Sequence, residues 1–138
     1  MGDETFIDTS GIYSILVRRD RMHERAAAFM AQAARDRKRF VTTDYVLDES
    51  VTLLKVRGLG RLVAPLFESI DASTAIRIEW TTPERFRETR AFCLRHSDKA
   101  WSFTDCLSFV VMRDHDVPAA LTSDVHYEQA GFRILLKH

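Results

Sequence analysis

Four acidic residues stand where a folding chain ordinarily avoids them. Asp8 closes the apolar run Thr5-Phe6-Ile7, and Asp124 follows Ala119-Ala120-Leu121-Thr122-Ser123, so both fall at or just after the end of a strand-like segment. Glu49 has Tyr45, Val46, Thr52, Leu53 and Val56 as neighbours at helical spacing, which puts it on the face that should be buried. Asp48, one residue earlier, points about 100° away and can sit in water. Asp105 repeats the pattern among Trp101, Ser102, Ser108, Phe109 and Met112. A carboxylate on an apolar stripe is costly unless it is paired, protonated or bound to a metal. Two full negative charges at about 4 Å repel by roughly 4 kcal/mol even at an effective dielectric of 20. Four acids converging on one cleft therefore call for a divalent cation or raised pKa values. All-oxygen ligation selects Mg2+ or Mn2+ over zinc, and no His-x-x-x-His or paired-cysteine motif competes.

Each acid taken singly has a local explanation. Glu49 could pair with Arg57 or Arg61. Ser102 and Asp105 have Ser-x-x-Asp spacing, so Asp105 could close a variant capping box. Asp8 and Asp124 could cap the helical segments that follow them. The five histidines (23, 96, 115, 126 and 138) are scattered, and His126, the only one near a candidate carboxylate, reads as a rim residue.

The elements that must position these side chains alternate along the whole chain. Strands are expected over 5–8, 39–42, 75–80, 119–122 and 132–136. Helices are expected from 9 to about 17, over 21–37, from a Thr43 or Asp44 cap to about 57 where Gly58 ends it, over 61–70, from Pro83 to about 95, over 103–113 and over 125–130. That order predicts one α/β domain spanning 1–138, with a mostly parallel twisted sheet covered by helices on both faces. In such sheets ligands bind beyond the carboxyl ends of the strands, where Asp8 and Asp124 fall.

Bulk composition narrows the classes. With 46% hydrophobic residues the chain can build a real core. No apolar run reaches about 18 residues, which excludes a membrane helix. The start Met1-Gly2-Asp3-Glu4-Thr5-Phe6 is acidic and is not expected to be a signal peptide or a myristoylation site. Cys93 and Cys106 sit in apolar helical contexts, as buried free thiols of a reducing, cytoplasmic compartment would. Twenty basic residues balance 20 acidic ones, yet residues 18–61 hold 11 Lys/Arg against 6 Asp/Glu. The runs at 18–21 and 35–39 are either solvated helix faces or a cationic rim for a phosphate backbone. Zero net charge argues against broad nucleic-acid coating but permits a local groove.

Four segments, in order, resemble a known family. Phe6-Ile7-Asp8-Thr9-Ser10 is similar to the opening motif of PIN domains, and Thr43-Asp44-Tyr45-Val46-Leu47-Asp48-Glu49 resembles the segment with the family's glutamate. Residues 98–109 resemble its third acidic motif, and residues 121–132 its final one. The likeness covers almost the whole chain and is nearest the VapC-like branch of bacterial toxins; Ala100 departs from it, where relatives often carry a second acid after the lysine. The resemblance implies a metal-dependent endoribonuclease, a homodimer, an RNA substrate and an antitoxin partner covering the active-site groove. On this reading Asp8, Asp105 and Asp124 hold the ion, Glu49 completes the cluster, and Thr9, Ser102 and Thr104 donate hydrogen bonds that fix the carboxylates. Arginines between 18 and 61 would contact RNA phosphates. Three rivals are a non-catalytic module whose acidic pocket binds an arginine-bearing partner, a structure-specific DNA nuclease, and a phosphate-accepting regulator. The last needs an exposed acceptor Asp with a lysine at a strand end, which Lys38, Lys55, Lys99 and Lys137 do not obviously supply.

Overall fold

In the computed structural model, which describes residues 3–137, five strands form one sheet. Met1, Gly2 and His138, which the readings of the N-terminus and of the histidines include, lie outside the described residues. The elements are β1 (Glu4–Ile7), α1 (Thr9–Leu16), α2 (His23–Arg35), β2 (Arg39–Thr43), α3 (Asp44–Val56), α4 (Val63–Ala72), β3 (Ile76–Glu79), α5 (Pro83–Arg95), α6 (Phe103–Asp114), β4 (Ala119–Leu121), α7 (Val125–Gln129) and β5 (Arg133–Ile134). A 3-10 turn over Gly60–Leu62 leads into α4.

The strand order is β3-β2-β1-β4-β5 and every pairing is parallel, so the sheet is more uniform than the expected mostly parallel one. Consecutive strand residues point to opposite faces. Phe6 and Ile7, Phe40 and Val41, and Ala120 and Leu121 are all buried, so both faces are covered. Helix α6 is buried from Cys106 to Met112 without a break, as a helix apolar all round must be.

Local chemistry sets the ends. The Thr43 hydroxyl, not Asp44, caps α3 by accepting from the Val46 amide at 3.1 Å. Gly58, with φ of 73°, takes the left-handed turn that stops this helix. Thr82 caps α5 and Pro83 fills its first turn. The fifth strand is shorter than expected. β4 supplies only three residues, and the chain beyond β5 follows it through Leu135 and Leu136 amide bonds to the Ala120 and Thr122 carbonyls.

From β1 the chain order runs outward in opposite directions, toward β2 on one side and β4 on the other. That reversal opens a crevice at the carboxyl ends of β1 and β4. Gly11 lets the two sides meet there: a Cβ on it would lie 2.1 Å from the Leu121 carbonyl oxygen. None of the helices among the described residues is long and apolar enough to cross a membrane.

Candidate metal centre and active site

Asp8 leaves the carboxyl end of β1 directly into the crevice and is 4% exposed. It occupies the N-cap position of α1, but its side chain makes no capping hydrogen bond. Its oxygens are held from two sides instead. Tyr127 donates to Oδ1 at 2.8 Å and Thr122 to Oδ2 at 2.9 Å. Burial pushes the Asp8 carboxyl up to about 6, against the hydrogen bonds that favour its ionised form, and the negative Asp105 adds to the rise. Thr122 ties the two strand ends together: its hydroxyl also accepts from the Asp124 amide at 3.0 Å and meets Ser10 Oγ at 2.8 Å.

Asp105 and Asp124 face each other across His126. One oxygen of each acid and a ring nitrogen of His126 all lie within 4.8 Å of one another, the one such group among the described residues. His126 Nδ1 is 3.0 Å from Asp105 Oδ2 and 3.5 Å from Asp124 Oδ1. A carboxylate only accepts, so this nitrogen carries the proton when Asp105 is ionised. Burial raises the Asp105 carboxyl above its ordinary range, opposed by the bond from His126. The capping explanations hold as well. Ser102 and Asp105 form a complete capping box, and Asp124 Oδ1 accepts from the His126 amide at 2.9 Å. Capping and clustering coexist, because each cap consumes one oxygen and leaves another.

Glu49 is half-buried on α3 and Asp48 beside it is exposed, as the helical spacing required. The ion pair with Arg57 or Arg61 does not form: among the described residues Glu49 makes no salt bridge, and the Arg57 guanidinium lies 4.8 Å from the centre of the Tyr13 ring. Glu49 Oε1 accepts instead from the hydroxyl of Thr9, the residue after Asp8. The structure thus brings Asp105, Asp124 and His126 together, sets Asp8 beside them through Thr122, and connects Glu49 through Thr9. Asp8 and Glu49 lie outside the tight three-residue group. Ser102 orients Asp105 through its amide and hydroxyl. Thr104 donates to no carboxylate among the described residues; its carbonyl accepts from Ser108.

Sequence reasoning missed His126 as more than a rim residue, and it missed Tyr127, Thr122 and Ser10 altogether. His126 carried a faint signal, being two residues beyond an acid at a strand end. Tyr127 carried only the rule that a buried phenol needs a partner, which does not say which partner. The basic runs are not at the crevice. Arg37, Lys38 and Arg39 lie at the amino ends of the strands, beside Glu4, Pro118 and Ala119. Arg18 and Arg19 follow α1, whose eight residues carry the chain about 12 Å away from Asp8. Cys106 is a buried thiol pushed up to about 12 by burial with Cys93 beside it, which leaves it inert.

A model of the PIN domain matches residues 5–133. The chain is 34% identical over 92 residues to the 23S rRNA-specific endonuclease VapC20 of Mycobacterium tuberculosis (strain CDC 1551 / Oshkosh), spanning 67% of this chain and 70% of that protein. It is also similar to the crystal structure of Mycobacterium tuberculosis VapC20, described as a sarcin–ricin loop cleaving toxin. That match has a TM-score of 0.81 and 29% identity, over 93% of this chain and 95% of the other. FitAcB from Neisseria gonorrhoeae matches with a TM-score of 0.61 over 95% of this chain and 96% of its own; at 16% identity this likeness concerns the fold alone.

Proposed function

The chain belongs to the PIN-domain family, and from that footing we propose that it is an endoribonuclease that hydrolyses RNA phosphodiester bonds with a carboxylate-held Mg2+ or Mn2+, as the toxin of a type II toxin–antitoxin pair. The observation that carries the reading is the meeting of Asp105 and Asp124 beside buried Asp8 at the switch point of the sheet.

The residues fit a hard divalent cation. The acids are oxygen donors, and two of them are buried at the cost of raised pKa values. Asp105 Oδ1 and Asp124 Oδ2 have no hydrogen bond among the described residues, since the caps and His126 occupy the other oxygens. Asp8, Asp105 and Asp124 would hold the ion, with Glu49 completing the set. When bound, the cation lowers the pKa of a water and offsets the charge that builds on the attacked phosphate.

The remaining work falls to the chain itself. Tyr127 and Thr122 fix the Asp8 carboxylate from two sides. The Thr9 hydroxyl holds Glu49 at Oε1 and fixes its orientation, and Glu49 or a neighbouring Asp would orient the attacking water as its base. The Ser102 amide sets the rotamer of Asp105. His126 donates from Nδ1 between the two acids and limits their repulsion.

The similarity to a 23S rRNA endonuclease supports ribosomal RNA as the first substrate to test. An antitoxin partner and a homodimer belong to the same proposal, as what the VapC-like resemblance implies. A 23S rRNA transcript is expected to be cut by the purified protein with Mg2+ or Mn2+ and left whole in EDTA. Asp105→Asn, which keeps an acceptor for the Ser102 amide, is expected to stay folded by circular dichroism and to cleave at less than about a hundredth of the wild-type rate. Cleavage that survives chelation overturns the metal assignment, and cutting of matched DNA but not RNA overturns the substrate.

A further inference from the structure

Beside the carboxylates, past the carboxyl ends of β2 and β3, lies an open cleft of about 730 Å3 that none of the steps above uses. Its floor is aromatic. Tyr45 and Phe86 line it, and both rings pack on Phe103 with centroids 5.7 and 5.0 Å away. Phe86 remains 39% exposed, so part of its ring is open to the cleft. The wall is cationic. Phe86, Arg87 and Arg90 are spaced along α5 so that they share one helix face, and both arginines line the cleft.

These two arginines differ from their neighbour. Arg85 is surrounded by the carboxylates of Glu79, Glu88 and Asp114. Arg87 and Arg90 are exposed and, among the described residues, make no hydrogen bond, ion pair or ring contact. The acid in the cleft does not face them unengaged: Asp44 Oδ2 accepts from the Thr81 amide at 3.2 Å and Oδ1 from the Thr81 hydroxyl at 2.7 Å. The cleft therefore offers flat rings and two guanidinium groups without an ion-pair partner, against the single carboxylate of Asp44, which Thr81 holds. It also adjoins the acids. Tyr45 lies one helical turn before Glu49 on α3, and Phe103 opens α6 two residues before Asp105.

Unpaired RNA matches that chemistry, because every base has a face to stack and every nucleotide brings a phosphate. We propose that this cleft is a subsite for one unpaired nucleotide flanking the scissile phosphate, its base stacked on Tyr45 and Phe86 and its phosphates held by Arg87 and Arg90. It rests on the ribonuclease reading and adds to it the residues that engage the strand.

The test is binding of a short fluorescein-labelled single-stranded RNA in EDTA, read by anisotropy over a salt series. The double variant Arg87→Gln/Arg90→Gln is expected to bind more weakly and to reduce the slope of log K against log salt by about 1.4, from two phosphate contacts at roughly 0.7 each. Phe86→Leu, which keeps the apolar contact with Phe103 and removes the flat ring, is expected to weaken binding about tenfold with the slope unchanged. Lys38→Gln/Arg39→Gln, at the opposite end of the sheet, is expected to alter neither quantity by as much. A wild-type slope for the Arg87/Arg90 variant overturns the subsite, as does an equal loss in the Lys38/Arg39 control. A loss traced by size-exclusion to a changed oligomeric state overturns it too. If the Arg87/Arg90 variant binds and cleaves a 23S rRNA transcript like wild type while Asp105→Asn is inert, the subsite falls and the ribonuclease reading stands. If the wild-type protein neither binds nor cleaves RNA, that reading falls and takes the subsite with it.

Discussion

Burying a carboxylate as deeply as Asp8 makes proton uptake part of the folding equilibrium. Its pKa in the folded protein, about 6, exceeds its ordinary value of 3.8, so the protonated form favours the fold. That contribution is whole below 3.8 and is lost as the pH rises through about 6, a difference of roughly 3 kcal/mol at about 1.4 kcal/mol per pH unit. Asp105 shifts in the same direction through burial. Glu4 acts oppositely: its bond from Arg77 holds it below its ordinary 4.5, so its contribution is present above that pH and is lost only in stronger acid. In EDTA, stability measured by urea melts is therefore expected to fall as pH rises from about 4 to 6, and Asp8→Asn is expected to flatten that fall. A wild-type curve that climbs through this window would show that Asp8 is not buried as an acid. Tyr127→Phe keeps the ring contacts with Phe6 and Phe109 but leaves Asp8 Oδ1 without its donor. It is expected to cost about 1–3 kcal/mol and to move the acid limb of the cleavage profile upward; a stability loss with an unmoved limb would reduce Tyr127 to packing. The sequence made the four acids legible because a carboxylate on an apolar stripe or at a strand end breaks a pattern. Tyr127, Thr122 and His126 break none. Their partners are 21 to 119 residues away in the chain and become visible only once β1, β4, α6 and α7 meet.

At the scale of elements, periodicity carried nearly everything, since each strand and helix was readable from local spacing and punctuation. What local spacing did not contain was the order of the strands. The switch point between β1 and β4, which makes the crevice, follows from how the crossovers pack and not from any one segment. The length of β5 depended in the same way on the shortness of its partner. The basic runs misled for a related reason: charge density along the chain says nothing about which end of the sheet it reaches, and Arg37, Lys38 and Arg39 reach the amino end. Gly11 is where element packing and chemistry coincide. A Cβ there would collide with backbone at Leu121, which cannot yield as a flexible side chain would. Gly11→Ala is expected to cost about 3 kcal/mol in a urea melt. By pushing α1 off the end of β4 it is also expected to part Asp8 from Thr122 and slow cleavage, even where the fold survives. An alanine variant with wild-type stability and rate would mean that the two strand ends do not meet as closely as described.

Across the whole molecule, equal numbers of acidic and basic residues conceal a separation of charge. Asp8, Glu49, Asp105 and Asp124 meet at the crevice, while Arg87 and Arg90 of α5 line the neighbouring cleft without an ion-pair partner among the described residues. A site of this kind is strained in the protein without its ion, because Asp8 and Asp105 are buried near one another with only hydroxyls, amides and one imidazole to offset them. A cation that relieves that strain binds the folded state alone, since the unfolded chain scatters Asp8, Asp105 and Asp124 over more than a hundred residues. Binding to the fold but not to the unfolded chain stabilises by about 2.7 kcal/mol at a ligand concentration 100 times Kd. For a domain of this size that corresponds to a rise in melting temperature of about 10 °C. Mg2+ or Mn2+ added to the chelator-treated protein is expected to produce such a rise. NaCl at matched ionic strength is not, because screening among buried groups is weak. In Asp105→Asn the protein without added metal is expected to melt no lower than wild type, and the response to the cation should largely disappear. Equal responses in the two proteins would place the ion away from Asp105, and no response in either would mean that these acids settle their repulsion by holding protons instead.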